Sequence, residues 1–214
     1  MKLYSYFRSS AAYRVRIALG LKGLDYEYLP VHLTRGGGEQ LRPEYRKVNP
    51  QALVPVLLDG EHTLNQSLAI IEYLDETHPR PPLLPRDPAA RARARALAQM
   101  IACEIHPLNN TRVLGYLTGA AGVSDEARSA WYRHWVAEGF TALEARLAGD
   151  SATGRFCHGD APGMADCCLV PQVANARRFK CDLSQYPTLV AIDSNCRALE
   201  AFQRAAPERQ PDAE

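Results

Sequence analysis

The sequence predicts an α/β unit over residues 1–80 followed by an all-α unit over 88–214. Three observations predict it. Strand and helix signals alternate through the first 80 residues. Five of the 15 prolines then fall within ten residues, "PRPPLLPRDP" (79–88), where no helix or central strand is expected to run through. Beyond them, sequence rich in Ala, Leu and Arg keeps helical apolar spacing almost to the end. A chain of 214 residues is long enough to bury a sizeable core in one large or two small domains.

Each element has its own signal. "KLYSYF" (2–7) is short and aromatic, as a buried strand is. From Ser10 to Lys22, Val15, Ala18 and Leu19 recur at helical spacing, and Gly23 supplies a stop. "YEYLPVHL" (26–33) reads as a second strand, which Pro30 confines to an edge or a bulge. "TRGGGEQL" (34–41) reads as a flexible loop. "LVPVLLD" (53–59), a turn at Asp59–Gly60 and "HTL" (62–64) form a hairpin pattern. "QSLAIIEYLDETH" (66–78) is amphipathic, with Leu68, Ile71, Leu74 and Asp75 toward its core face. The order is β-α-β, then β-β-α. In the second half, 89–103, 124–148 and 164–179 carry the clearest helical patterns.

Composition excludes several classes. With 25 basic and 24 acidic residues the net charge is +1, which argues against nucleic acid or an anionic membrane as partner. The longest apolar runs are far short of the roughly 20 residues of a membrane span, and "MKLYSYF" lacks a signal-peptide core, so a cytoplasmic protein is expected. The six cysteines, Cys103, Cys157, Cys167, Cys168, Cys181 and Cys196, include no CxxC pair. They read as buried reduced thiols, with no metal site. Arg91, Arg93 and Arg95 stand about 200° apart per step on a helix and so form no single basic stripe; a solvated face is expected there.

The chemistry concentrates in "YFRSSAAYRVRIAL" (6–19). A β-α-β then β-β-α unit is the order of thioredoxin-like folds, which place a thiol site at the N-terminus of the first helix. Exposed amides and the helix dipole favour an anion there. This chain has Ser9-Ser10-Ala11-Ala12 at that place and no cysteine in 6–16, which argues against a thioredoxin-type oxidoreductase. A thiolate would have to come from a bound cosubstrate, glutathione being the obvious one. A serine hydroxyl donating to that sulfur, together with the helix end, lowers a thiol pKa from about 8.5 towards 7. The other reading of Ser9 or Ser10 is an ordinary helix N-cap.

The same stretch resembles the zeta-class glutathione transferase signature, serine-serine-cysteine-x-tryptophan-arginine-valine-arginine. "LNQSLAIIEYLDETHP" (64–79), "CLVPQVANARRFKCDLSQYPTL" (168–189) and "LEAFQRAAPERQPD" (199–212) resemble that family too, so the likeness spans essentially the whole chain. It implies the glutathione transferase fold: a thioredoxin-like N-terminal domain, a helical bundle C-terminal domain, and a homodimer. Within the family the sequence looks most like the maleylpyruvate isomerases, related to maleylacetoacetate isomerases. The activity implied is a glutathione-dependent cis-trans isomerisation of a small dicarboxylate oxo-acid, maleylpyruvate (giving fumarylpyruvate) or maleylacetoacetate, in aromatic-compound degradation. Thiolate addition makes the cis bond single, rotation follows, and elimination returns glutathione.

By this resemblance Ser9 is the thiolate stabiliser, with Ser10 beside it. Val54-Pro55 matches a valine before a cis-proline whose backbone pairs with the glutathione cysteinyl unit. Gln66 and Ser67 match the pair that holds the γ-glutamyl group, and Gln40 a residue near the glycyl end. His106, standing where glutamine is common, and Asn110 face the site in the family pattern; on residues alone His106 reads as an ordinary surface or core group. Arg8 and Arg178 are the candidates for the substrate's carboxylate and oxo-acid ends, Arg112 is a further one, and Arg177 is expected to face solvent. The chain departs from the pattern at Ala11 and Tyr13, in place of the signature cysteine and tryptophan, and at Gly163, in place of a capping threonine. Two rivals stand beside the isomerase: a general transferase conjugating apolar electrophiles, and a non-catalytic ligand-binding protein of the same fold.

Overall fold

A computed structural model describes residues 1–214 throughout. The elements are β1 (Lys2–Ser5), α1 (Ser10–Lys22), β2 (Glu27–Pro30), α2 (Pro43–Val48), β3 (Val56–Asp59), β4 (His62–Asn65), α3 (Ser67–Thr77), α4 (Pro88–Gln99), α5 (Thr111–Thr118), α6 (Asp125–Ala148), α7 (Met164–Arg178), α8 (Pro187–Arg197) and α9 (Glu200–Ala205). No helix is long and apolar enough to cross a membrane.

The chain forms two units, one of Met1–Leu83 with Arg197–Glu214, the other of Leu84–Cys196. This corrects the second domain drawn over 88–214, because the last helix belongs with the first unit. Ala201 of α9 packs on Gly20 of α1, where an added Cβ would meet it at 3.3 Å. The Ala205 carbonyl accepts from Arg16 Nε at 3.0 Å. An amphipathic pattern shows that a helix packs, not what it packs against.

In the first unit the sheet order is β2-β1-β3-β4. β1 and β2 run parallel, and β3 is antiparallel to both β1 and β4. Pro30 ends the edge strand β2, where its missing N–H disturbs no inner ladder. Leu3, Val56 and Leu57 from the sheet and Ile17, Leu19, Ile70, Ile71 and Leu74 from α1 and α3 are buried. Gly23 stops α1 with φ 64°, a left-handed value that glycine adopts without a Cβ penalty. α2 was not legible in the sequence, since six residues are too few for a periodic signal.

In the second unit Asp87 caps α4, its carboxylate accepting from the Ala90 amide, and Pro88 occupies the first helical position. The last proline of the cluster thus starts a helix rather than excluding one, because the first turn has no need of its N–H. Ser124 caps α6 in the same way. At the start of α7, where Gly163 has no side chain to offer, Asp166 accepts from the Gly163 amide at 2.8 Å and from the Cys157 amide at 2.9 Å. All six cysteines are reduced, and Cys157, Cys167, Cys168 and Cys196 are buried as expected; Cys103 is exposed. Arg93 corrects the expected solvated face. Its guanidinium is nearly buried and donates to Asp150, Thr153 and the Cys157 carbonyl, fastening the 150–158 loop to α4.

Candidate active site

The sheet register gathers the first-unit candidates at one end. Ser5 closes β1, Tyr4 pairs with Val56 at the start of β3, and Val56 pairs with Asn65 at the end of β4. The segments that continue from these three ends carry Arg8-Ser9-Ser10, Val54-Pro55 and Gln66-Ser67. Val54 packs in one buried cluster with Tyr6 and Phe7.

Ser9 is the N-cap of α1, and its Oγ accepts from the Ala12 amide at 3.2 Å. Capping uses an oxygen lone pair and leaves the hydroxyl proton, so the cap and a bond donated to a sulfur are compatible. Ala11, second in the helix, has no acceptor for its amide within that helix. Its side chain is a methyl, so the position contributes the backbone N–H and no thiol. Ser10 is buried at the first helical position. Arg8 is exposed, its guanidinium 4.8 Å from the centre of the Phe7 ring.

The Val54–Pro55 bond is cis, as expected, and Arg80–Pro81 is a second cis bond that nothing in the sequence announced. Neither the amide nor the carbonyl of Val54 hydrogen-bonds within the protein. Both are available to an extended peptide laid alongside. Gln66 precedes α3 with φ 67°, a left-handed conformation that a non-glycine residue seldom holds, and gives α3 no side-chain cap. Its side-chain Nε2 donates to Gln51 Oε1 at 3.0 Å. The first amides of α3 are therefore presented without a cap, beside the buried Ser67. Arg14, one turn beyond Ser10, donates to Ser67 Oγ at 3.2 Å. That bond leaves the Ser67 proton to donate and brings a guanidinium to the same helix end, a suitable place for a carboxylate.

Gln40 lies in a short turn, Glu39–Leu41, whose Glu39 amide donates to the His32 carbonyl. Gln40 Nε2 donates to the Leu33 carbonyl at 3.2 Å, and its Oε1 is buried with no partner. Gly38 makes this seat: its φ is 105°, and a Cβ would come within 2.9 Å of the Leu33 carbonyl and closer still to the Gln40 amide.

The second-unit candidates are described by their own surroundings. Asn110 caps α5 by accepting from the Arg112 amide at 3.1 Å, and its Nδ2 lies 3.4 Å from His106 Nε2. Arg112 is exposed. Arg178 ends α7, its guanidinium 4.9 Å from the Phe179 ring centre, and Phe179 stacks on Tyr132 at 3.6 Å. Asn109 donates to the Tyr132 carbonyl, so the His106–Asn110 turn and the end of α7 meet on the same tyrosine. Arg177 is not simply solvent-facing. It pairs with the buried Asp193 at 2.7 Å. The burial of Asp193 could not be read from its neighbours in sequence. Arg14, and the contacts that Arg16 and Asp212 each make as described below, were also missed. Arg14 and Arg16 are the two arginines of α1 and stand two positions apart, on nearly opposite sides of it, and Asp212 lies near the far end of the sequence.

Glutathione fits this set of residues. A hydroxyl donor stands at one helix start, an unpaired extended backbone at Val54, and an uncapped helix start with a guanidinium at Ser67.

Residues 3–82 match the family model for the glutathione S-transferase N-terminal domain, and residues 125–202 that for its C-terminal domain. The chain is 57% identical to the probable maleylacetoacetate isomerase of Vibrio cholerae, over 99% of this chain and 97% of that one. Among solved structures, the holo form of maleyl pyruvate isomerase, a bacterial zeta-class glutathione S-transferase, superposes with a TM-score of 0.97 at 51% identity over the whole of both chains. The maleylacetoacetate isomerase of Methylobacterium extorquens AM1, with bound malonate and glutathione, gives 0.96 at 45% identity, again over both whole chains. With its two domains matched and half its residues identical along its full length, this chain belongs to the zeta class of the glutathione S-transferase family.

Proposed function

We propose that the protein is a glutathione-dependent cis-trans isomerase of maleylpyruvate or maleylacetoacetate. The observation that carries the reading is Ser9, a serine that caps α1 as an acceptor and keeps its proton to donate at a helix start that lacks its own thiol. Glutathione, when bound, supplies the thiolate that adds to the cis double bond and leaves after rotation. The chain's own residues do the rest. Ser9 donates to the sulfur, and the dipole of α1 favours its ionised form. Val54 pairs with the backbone of the cysteinyl unit. Ser67, the first amides of α3 and Arg14 take the γ-glutamyl carboxylate, with Gln66 beside them. Gln40, His106 and Asn110 complete the binding set.

Arg8 and Arg178 each take one acidic end of the substrate, with Arg112 as a further contact. A guanidinium grips a carboxylate through two parallel hydrogen bonds and so fixes orientation as well as charge. The same cations stabilise negative charge that develops on the substrate oxygens during reaction. The family resemblance extends the proposal to a homodimer acting in the cytoplasm; light scattering in solution tests the dimer.

The deciding assay measures both substrates with and without added glutathione. Thiol-free, dialysed protein should isomerise neither, and glutathione should restore turnover on at least one. Full turnover with no thiol present overturns the reading. The general-transferase alternative gains if an uncharged electrophile is conjugated while neither cis acid is isomerised.

A further inference from the structure

Two residues outside the binding set grip the backbone that carries Ser9. The amide of Phe7 donates to Asp212 Oδ2 at 3.1 Å, and the carbonyl of Phe7 accepts from Arg16 Nη2 at 3.0 Å. The Tyr6 carbonyl accepts twice, from Arg16 Nη1 at 3.3 Å and from the Ser9 amide at 2.9 Å. Arg16 also donates to Ser5 Oγ at 3.1 Å and to the Ala205 carbonyl at 3.0 Å. The other carboxylate oxygen of Asp212 accepts from Tyr28 at 2.6 Å. The backbone amide and carbonyl of Phe7 and the carbonyl that starts the turn into Ser9 are therefore held by side chains from α1 and the C-terminal segment, and Tyr28 of β2 holds Asp212 in turn.

Arg16 is 1% exposed and donates to three carbonyls and a hydroxyl. Desolvating a buried cation is costly and the Asp212 carboxylate offsets part of that cost, yet the guanidinium itself donates to four uncharged acceptors. Its planar fork suits it to fixing several oxygens in one geometry. Burial pulls its pKa below the usual arginine value, and burial followed by Asp212 pushes the Tyr28 phenol well above its own, so Tyr28 remains a donor.

We propose that Arg16 and Asp212 are positioning residues for Ser9: they fix the Tyr6–Phe7 backbone from behind, so that the C-terminal segment sets the aim of the hydroxyl at the thiol. The inference rests on the proposed role of Ser9. It extends control of the thiol to a residue 205 positions beyond Phe7 in sequence. A hydroxyl that moves by a fraction of an ångström donates less well to a thiolate, so loosening the grip should raise the pKa of the bound thiol.

The test compares Asp212→Asn, Tyr28→Phe and Ser9→Ala in the full-length protein. In each, the pKa of bound glutathione is read from thiolate ultraviolet absorbance and from the acidic limb of kcat/KM. Asn keeps an acceptor at only one of the two carboxylate positions that Phe7 N–H and Tyr28 O–H now use. Asp212→Asn should therefore move the limb up by about one pH unit, with KM for glutathione within about twofold. Turnover at neutral pH should fall about fivefold and recover above the new pKa. Tyr28→Phe should shift the limb the same way by less, and it keeps the test open if Asp212→Asn folds poorly. A purely structural role would lower the melting temperature and leave the limb in place, which overturns the inference. If Ser9→Ala itself leaves the limb in place, the role of Ser9 falls and this inference falls with it.

Discussion

Lys22 Nζ, on a side chain with no exposed surface, donates to Asp75 Oδ1 at 2.6 Å and to the carbonyls of His78 and Pro81. The same Asp75 oxygen accepts from the Leu83 amide at 2.7 Å. One buried ion pair thus ties the last turn of α1 to α3 and to the proline-rich segment after it. Removing one partner strands the other charge, so Lys22→Met should destabilise the fold by about 3–5 kcal/mol. Replacing both, as Lys22→Met with Asp75→Leu, should recover part of that loss. Urea unfolding of the three proteins checks this, and a single variant as stable as wild type contradicts it.

Ser9→Ala should slow isomerisation by roughly one to two decades, the range that follows from losing a hydrogen bond to a charged group worth about 1.5–3 kcal/mol. Ser10→Ala should cost less, because Ser10 is buried within the first turn while Ser9 holds the capping position. Turnover at saturating glutathione separates the two; equal losses count against assigning the donor role to Ser9.

Arg8→Met and Arg178→Met should each lower isomerisation at least about tenfold, or 1.4 kcal/mol, and largely spare conjugation of an uncharged aromatic electrophile. Parallel measurement of the two reactions decides the point. If both reactions fall together the arginines serve glutathione or folding, and if neither falls the acidic substrate ends are held elsewhere.

The loop clamped by Arg93 should make stability sensitive to acid. The Ala152 amide, then Arg93, holds the Asp150 carboxyl below its ordinary range. A carboxyl whose pKa is lowered by folding adds stability above its unfolded value, near 3.9, and loses it as pH falls through the folded value. Below about pH 4, wild type should therefore lose more melting temperature than Asp150→Asn. A constant difference between the two across the acid range would show that the carboxylate charge contributes nothing.

The local grammar of the first unit was legible in the chain. Ser9 before a helical pattern, Gly23 after it, Pro30 at a strand edge and the Asp59–Gly60 turn each act over a few residues. Capping, left-handed backbone and the missing proline N–H are properties of short stretches. The candidate binding set was legible through the family resemblance, since Ser9, Val54-Pro55 and Gln66-Ser67 are compact motifs that can be matched stretch by stretch.

What the chain by itself determined, then, was the kind of the longer elements, the cap that starts α1 and the candidate thiol site at its head. Only the tertiary structure decided which long-range partner each polar group takes. It sent α9 back to the first unit, buried Arg16 against four acceptors, brought Asp212 to the amide of Phe7 and turned Arg177 onto Asp193. The physical reason is that a buried charge or amide must be satisfied by whatever the fold places beside it. That neighbour lies in three-dimensional packing, not in the spacing of residues along the chain.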